Sequence, residues 1–154
     1  MFRTMVHRNI YLSISDSECS CPAGFHLCAG HCLRRLDRGL TFDEAVIMCA
    51  GLDAHLAVPR TSAENQCAID AAGDNKVWLG GTEVPGHEGH YVGADACGDL
   101  QPFWAPTQPD NLGSGEDRIV LSPPGYLHGW HDYPGHHDFY PLCQLALSYR
   151  PNCK

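Results

Sequence analysis

Nine cysteines in 154 residues constrain this chain more than any other feature. Thiols at that density belong to an oxidising compartment, where disulfides persist and staple the fold. The number is odd, so at least one cysteine is left unpaired within the chain or is paired to another chain. Length and a hydrophobic content of 44% suit one domain with a packed interior. Long disorder is not expected from such a composition.

Charge narrows the partners. Ten Lys and Arg stand against 18 Asp and Glu, a formal net charge of -8. Nucleic acid and anionic membrane both ask for a basic face, so neither is expected as the partner. No apolar run is long enough to span a bilayer, so no membrane insertion is expected. At the start, Ile10-Tyr11-Leu12 is too short for the apolar centre of a secretory signal. Either a start Met precedes a mature secreted chain or the protein is intracellular, and the cysteines favour the first.

Residues 19–32 hold Cys19, Cys21, Cys28 and Cys32 among Pro22, Gly24 and Gly30, which predicts a disulfide-closed β-hairpin. A zinc knuckle using His26 and His31 is the competing reading, although the paired C-x2-C units of such sites are missing. Thr41 and Glu44 form a capping box, with Phe42, Ala45, Val46 and Cys49 following at helical spacing up to Gly51. Thr61 and Glu64 repeat the device for a second helix that runs to Ala71 and stops at Gly73. Strands are expected at Val77–Gly80, Ile119–Leu121 and Leu142–Leu147. Between Gly81 and Gly115 the chain is rich in Gly, Pro and acids, with little periodicity. An irregular stretch of that length within a compact domain is usually functional or disordered, and Phe103 and Trp104 argue for order. The pattern as a whole is α+β.

The end of that stretch concentrates hard oxygen donors. From Gln108 to Asp117 it offers the amides of Gln108 and Asn111 and the carboxylates of Asp110, Glu116 and Asp117. Calcium takes six to eight such oxygens in a flexible cage. A solvated acidic turn would have the same composition.

Several motifs fall in one order: Cys21-Pro22-x-Gly24-Phe25 with Cys32, the helix bearing Cys49, Trp78-Leu79-Gly80, Gln108-Pro109-Asp110, Glu116-Asp117, Trp130-His131-Asp132 and Cys143. Together they resemble the long form of the C-type lectin-like domain over roughly residues 21 to 147. The resemblance implies two helices, small antiparallel sheets and a long calcium-binding loop region. It implies an N-terminal arm over 1–18, the domain over 19–147 and a tail over 148–154. It assigns Ca²⁺ to Gln108, Asp110, Glu116 and Asp132, with the same groups hydrogen-bonding vicinal hydroxyls of a sugar. It also implies a cis peptide at Gln108-Pro109. Gln-Pro-Asp goes with galactose and N-acetylgalactosamine in this family, and Glu-Pro-Asn with mannose. An auxiliary calcium site would draw on Glu83, Glu88, Asn111 and Asp117.

Two positions depart from the family pattern. His131 stands where an Asn ligand is expected, and imidazole is a poorer Ca²⁺ ligand than an amide oxygen. It could instead donate to the sugar or accept a metal such as Zn²⁺. Leu112 stands where many galactose binders place a stacking Trp, so His128, Tyr133, His136 or His137 would have to supply a ring. Trp130 is expected in the core.

The family pattern further implies Cys21–Cys32 and Cys49–Cys143. Its remaining core bridge has neither partner, since Arg118 and Gly135 occupy the two positions. Cys67 and Cys97 are then taken as a bridge from the second helix to the long loop. Cys19, Cys28 and Cys153 are left over, one of them a candidate for a disulfide-linked homodimer. Ten histidines are many, but no H-E-x-x-H spacing occurs and no enzyme is expected. Those near the site could make sugar binding acid-labile. The expected function is that of a secreted, extracellular, calcium-dependent lectin for galactose or N-acetylgalactosamine glycans on microbial or other cell surfaces, serving innate immunity. The alternative is a protein-binding, ice-binding or mineral-associated module.

Overall fold

The structure is a computed structural model that describes residues 20–112, 115–125 and 127–146. The expected arm over 1–18 and tail over 148–154 lie outside the described residues, as do Cys19 and Cys153. Strands β1 (His26–Cys28) and β2 (His31–Arg35) form the N-terminal hairpin. Helix α1 (Phe42–Ala50), β3 (Ala54–Leu56) and α2 (Ser62–Ala72) follow. Then come β4 (Val77–Glu83), β5 (Tyr91–Gly93), β6 (Asp99–Leu100), β7 (Arg118–Ser122), β8 (Gly129–Tyr133) and β9 (Tyr140–Leu145).

Both helices begin as their caps dictate. Thr41 and Thr61 accept from the amides of Glu44 and Glu64, and each glutamate accepts from the cap amide in return. Two orphan donors of each first turn are thereby satisfied. Gly73 ends α2 with φ 61°, a region glycine enters without strain.

The strands pair antiparallel except β4 with β9, which run parallel through Val77↔Tyr140 and Trp78↔Pro141. Strand β9 also pairs with β2 and β3, so it is the seam between the hairpin and the rest. Strand β4 carries the Trp-Leu-Gly motif, and each residue has a packing reason. Trp78 is fully buried, donates from Nε1 to Leu40 O at 2.8 Å and meets Phe42 and Phe139 edge-on. A Cβ on Gly80 would collide with the carbonyl of Leu56, and one on Gly81 with Cδ1 of Ile119. Trp130 is buried too, with Nε1 donating to Asn65 Oδ1 at 2.8 Å.

Cys21–Cys32 and Cys49–Cys143 are bridged. The expected Cys67–Cys97 bridge is not: Cys67 pairs with Cys28, Cα atoms 5.9 Å apart. The reason is tertiary, because α2 packs against the hairpin and brings Cys67 to the end of β1. Cys97 is itself disulfide-bonded. With Cys21, Cys28 and Cys32 in disulfides, the zinc knuckle is excluded. The Gly81–Gly115 stretch is also less irregular than expected. It contains the end of β4 together with β5 and β6, and a bidentate Arg60–Asp95 pair at 2.7 Å anchors it to the start of α2.

Candidate metal and ligand site

Three carboxylates converge beside β8. Ligand oxygens of Asp110, Glu116 and Asp132 all lie within 4.8 Å of one another, the one such group of His, Cys, Asp or Glu among the described residues. Asp132 comes from β8 and is 3% exposed. Asp110 and Glu116 come from the loop between β6 and β7.

Backbone amides hold the carboxylates in place. Asp132 accepts from Asp110 N at 3.1 Å and from Asn111 N at 2.7 Å. Leu112 N donates to Glu116 Oε2 at 2.7 Å and to Asp110 Oδ1 at 3.2 Å. The loop turns through a cis Gln108-Pro109 bond, between Thr107 at φ 69° and Asn111 at φ 44°. A β-branched residue in the left-handed region is costly, and such strain collects at functional sites.

Gln108 Nε2 donates to Asp110 Oδ2 at 3.0 Å, while Gln108 Oε1 is buried with no partner. A buried acceptor without a donor carries its full desolvation penalty. Electrostatics point the same way. Burial first, then the charge of Asp132 and the hydrogen bond with Asp110, push Glu116 from 4.5 to about 7. Asp110 is held below its ordinary range, because desolvation is outweighed by hydrogen bonds from Gln108, Leu112 and the neighbouring acids. Burial and then Glu83, Asp132, Asp117 and Glu116 raise the phenol of Tyr91. The all-oxygen donor set, the clustered negative charge and the orphan carbonyl oxygen therefore fit a hard cation.

The chain is 30% identical over 135 residues to asialoglycoprotein receptor 2 of Mus musculus, an alignment covering 84% of this chain and 43% of that protein. It thus spans less than half the length of that relative. Among solved structures, the carbohydrate-recognition domain of the human scavenger receptor C-type lectin superposes with a TM-score of 0.70 at 25% identity, covering 81% of this chain and 98% of that one. The chain contains a C-type lectin-like domain. A calcium-independent type II antifreeze protein has the same fold, with a TM-score of 0.73 at 23% identity over 82% of this chain and 95% of that one. No family model matches the chain.

Within this C-type lectin-like domain the remaining sequence candidates have other partners for their side chains or adjoin the acid group. His131 is buried, and its Nε2–H donates to Leu127 O at 2.6 Å. It shares one face of β8 with Tyr133, ring centroids 6.4 Å apart, while Asp132 projects from the other face. Of the auxiliary set, Glu88 and Asn111 meet at 3.0 Å. Glu83 accepts from Gly89 N, Glu88 from Asn111 Nδ2, and Asp117 pairs with Arg118. His137 stacks on Phe139 and meets Tyr133 edge-on, and His136 lies against His137 with ring centroids 4.6 Å apart. His128 Nδ1 donates to Ser122 O. Leu112 is 77% exposed on the loop that holds Asp110.

Sequence reasoning did not find the amides of Asn111 and Leu112, which contribute backbone rather than side chain. It also missed Leu127, whose carbonyl anchors His131. Only the left-handed φ of 60° at Leu127 marks it, and that is invisible in a list of side chains.

Proposed function

We propose that this domain is a calcium-dependent lectin, secreted into an extracellular setting, that binds terminal galactose or N-acetylgalactosamine on cell-surface or microbial glycans. The carrying observation is the convergence of Asp110, Glu116 and Asp132, with Gln108 bonded to Asp110 through Nε2 and its Oε1 left unpartnered. Those four side chains would hold one Ca²⁺. When bound, that ion supplies coordination positions for two vicinal sugar hydroxyls. The chain's own part is recognition: carboxylates accept from the hydroxyls, and the Gln108 amide donates. The Gln-Pro-Asp order, in the family it resembles, supports galactose over mannose. Exposed Leu112 offers apolar surface beside the site. His131 would contribute by holding the Leu127 turn against β8. The reading is of binding without catalysis. Three disulfides among the described residues support an oxidising compartment.

The test is retention on immobilised galactose with Ca²⁺ and release by EDTA, with Asp110→Ala as control. Retention lost on chelation and in the variant is expected. Failure to bind galactose or mannose, with Ca²⁺ binding intact, would favour the protein- or ice-binding reading that the antifreeze neighbour illustrates.

A further inference from the structure

Glu116 and Asp132 come from segments that share a root. Glu116 lies two residues before Arg118 at the start of β7, and Asp132 three residues before Gly135. Between them β7 and β8 pair through Arg118↔Tyr133 and Ile119↔Asp132. By sequence resemblance, positions 118 and 135 are where a core disulfide would stand. A Cβ built on Gly135 lies 3.7 Å from Arg118 Cγ and 3.4 Å from Phe42 Cβ, so the two positions do meet.

Arg118 fills the junction. Its guanidinium carbon sits 4.7 Å from the centroid of the Phe42 ring. Phe42 N in turn donates to Gly135 O at 2.9 Å, and the Phe42 ring packs edge-on against buried Trp78. Nη1 donates to Asp117 O at 3.2 Å and pairs with Asp117 Oδ2 at 3.1 Å. Nε is buried with no partner. A half-exposed ion pair contributes little by itself, so the Asp117 contact does not explain why the side chain stays. The placement of the guanidinium over the Phe42 ring does.

We infer that Arg118 is a positioning residue for the acid site, its contact with Phe42 against Gly135 acting as a non-covalent cross-link that sets the separation of Glu116 and Asp132. The inference rests on the proposed cation site for its functional consequence, but not for its structural one. The amides of Asn111 and Leu112 bond to Asp132 and Glu116, so they report on that separation directly.

The experiment compares the full chain with Arg118→Ala, Phe42→Leu and the oxidised double variant Arg118→Cys/Gly135→Cys. Amide hydrogen exchange is measured without metal, and Ca²⁺ affinity by calorimetry. Both Arg118→Ala and Phe42→Leu should speed exchange at Asn111 and Leu112 about tenfold, the scale of a desolvated cation–π contact. Amides of α2 and β9 should keep their protection, and Ca²⁺ affinity should fall by a similar factor. The double variant, its new bridge verified by mass spectrometry, should restore both. Lower melting temperatures with unchanged exchange at Asn111 and Leu112 would overturn the inference. So would a formed bridge that restores neither quantity. A wild-type chain that binds no Ca²⁺ would remove the proposed function, while the exchange comparison would still decide the role of Arg118.

Discussion

Two parts of this domain are held by different kinds of bond. The hairpin, α1 and α2 are fastened covalently through Cys21–Cys32, Cys28–Cys67 and Cys49–Cys143. The loop bearing Asp110 and Glu116 is fastened by backbone amides donating to carboxylates, themselves crowded together. Disulfides do not respond to protons or ions, so the first part keeps its shape whatever the solvent carries. The carboxylate-held loop depends on charge at those contacts. The domain therefore separates a constant part from a charge-dependent one, and a cation bound as proposed would order the loop without altering the scaffold.

The largest effect should come from cutting the scaffold. Replacing Cys49 and Cys143 together by Ala releases a loop with a sequence separation of 94. Chain entropy puts the loss at about 4.7 kcal/mol. Denaturant melts should show that loss with and without Ca²⁺. A loss that vanished on adding Ca²⁺ would erase the distinction between the two parts.

Next, Asp132→Asn should weaken Ca²⁺ about a hundredfold by calorimetry, because charge count sets calcium affinity. The scaffold should remain folded by circular dichroism.

The pH response sharpens the contrast further. The folded value of Glu116 is raised from 4.5 to about 7, so between those values the folded chain holds a proton that the unfolded chain has lost. Its contribution to metal-free stability is full below about 4.5 and is lost as pH rises through about 7. Metal-free melting temperature should thus rise as pH falls from 8 to 6, while Ca²⁺ affinity falls over the same interval. Asp110 works in the opposite sense, its contribution being lost only in more acid solution. Glu116→Gln should flatten the metal-free trend.

The smallest effect concerns Leu112. Leu112→Trp, with a ring to lie on a sugar face, should tighten galactose by roughly 0.5–1.5 kcal/mol and leave the melting temperature unchanged. This is read as retention volume on galactose resin.

Local features of the fold were legible in the residues themselves. Thr41 with Glu44 and Thr61 with Glu64 each satisfy their own backbone and need no distant partner. The cis Gln108-Pro109 bond followed from the family pattern. What escaped depends on where elements land. Cys67 meets Cys28 because α2 settles on the hairpin, and no spacing rule encodes that contact. Strand β8 was read as a motif and not as a strand, since the five residues Gly129–Tyr133 carry little periodicity. Its alternation separates His131 from Asp132. The Gln108 Oε1 orphan depends on burial, which emerges only from the packed loop.

Strand β9 has a consequence for how the chain comes to be folded. It pairs with β2, β3 and β4 and supplies Cys143 to α1. During synthesis, everything from the hairpin to β8 must be present before this strand arrives to join it. Until then Cys49 has no native partner, and the apolar faces of β2, β3 and β4 have no shared edge. Contacts of such sequence separation close slowly. Cys49 therefore waits for a partner at a sequence separation of 94, and oxidation of its thiol before β9 arrives would bind it to the wrong sulfur.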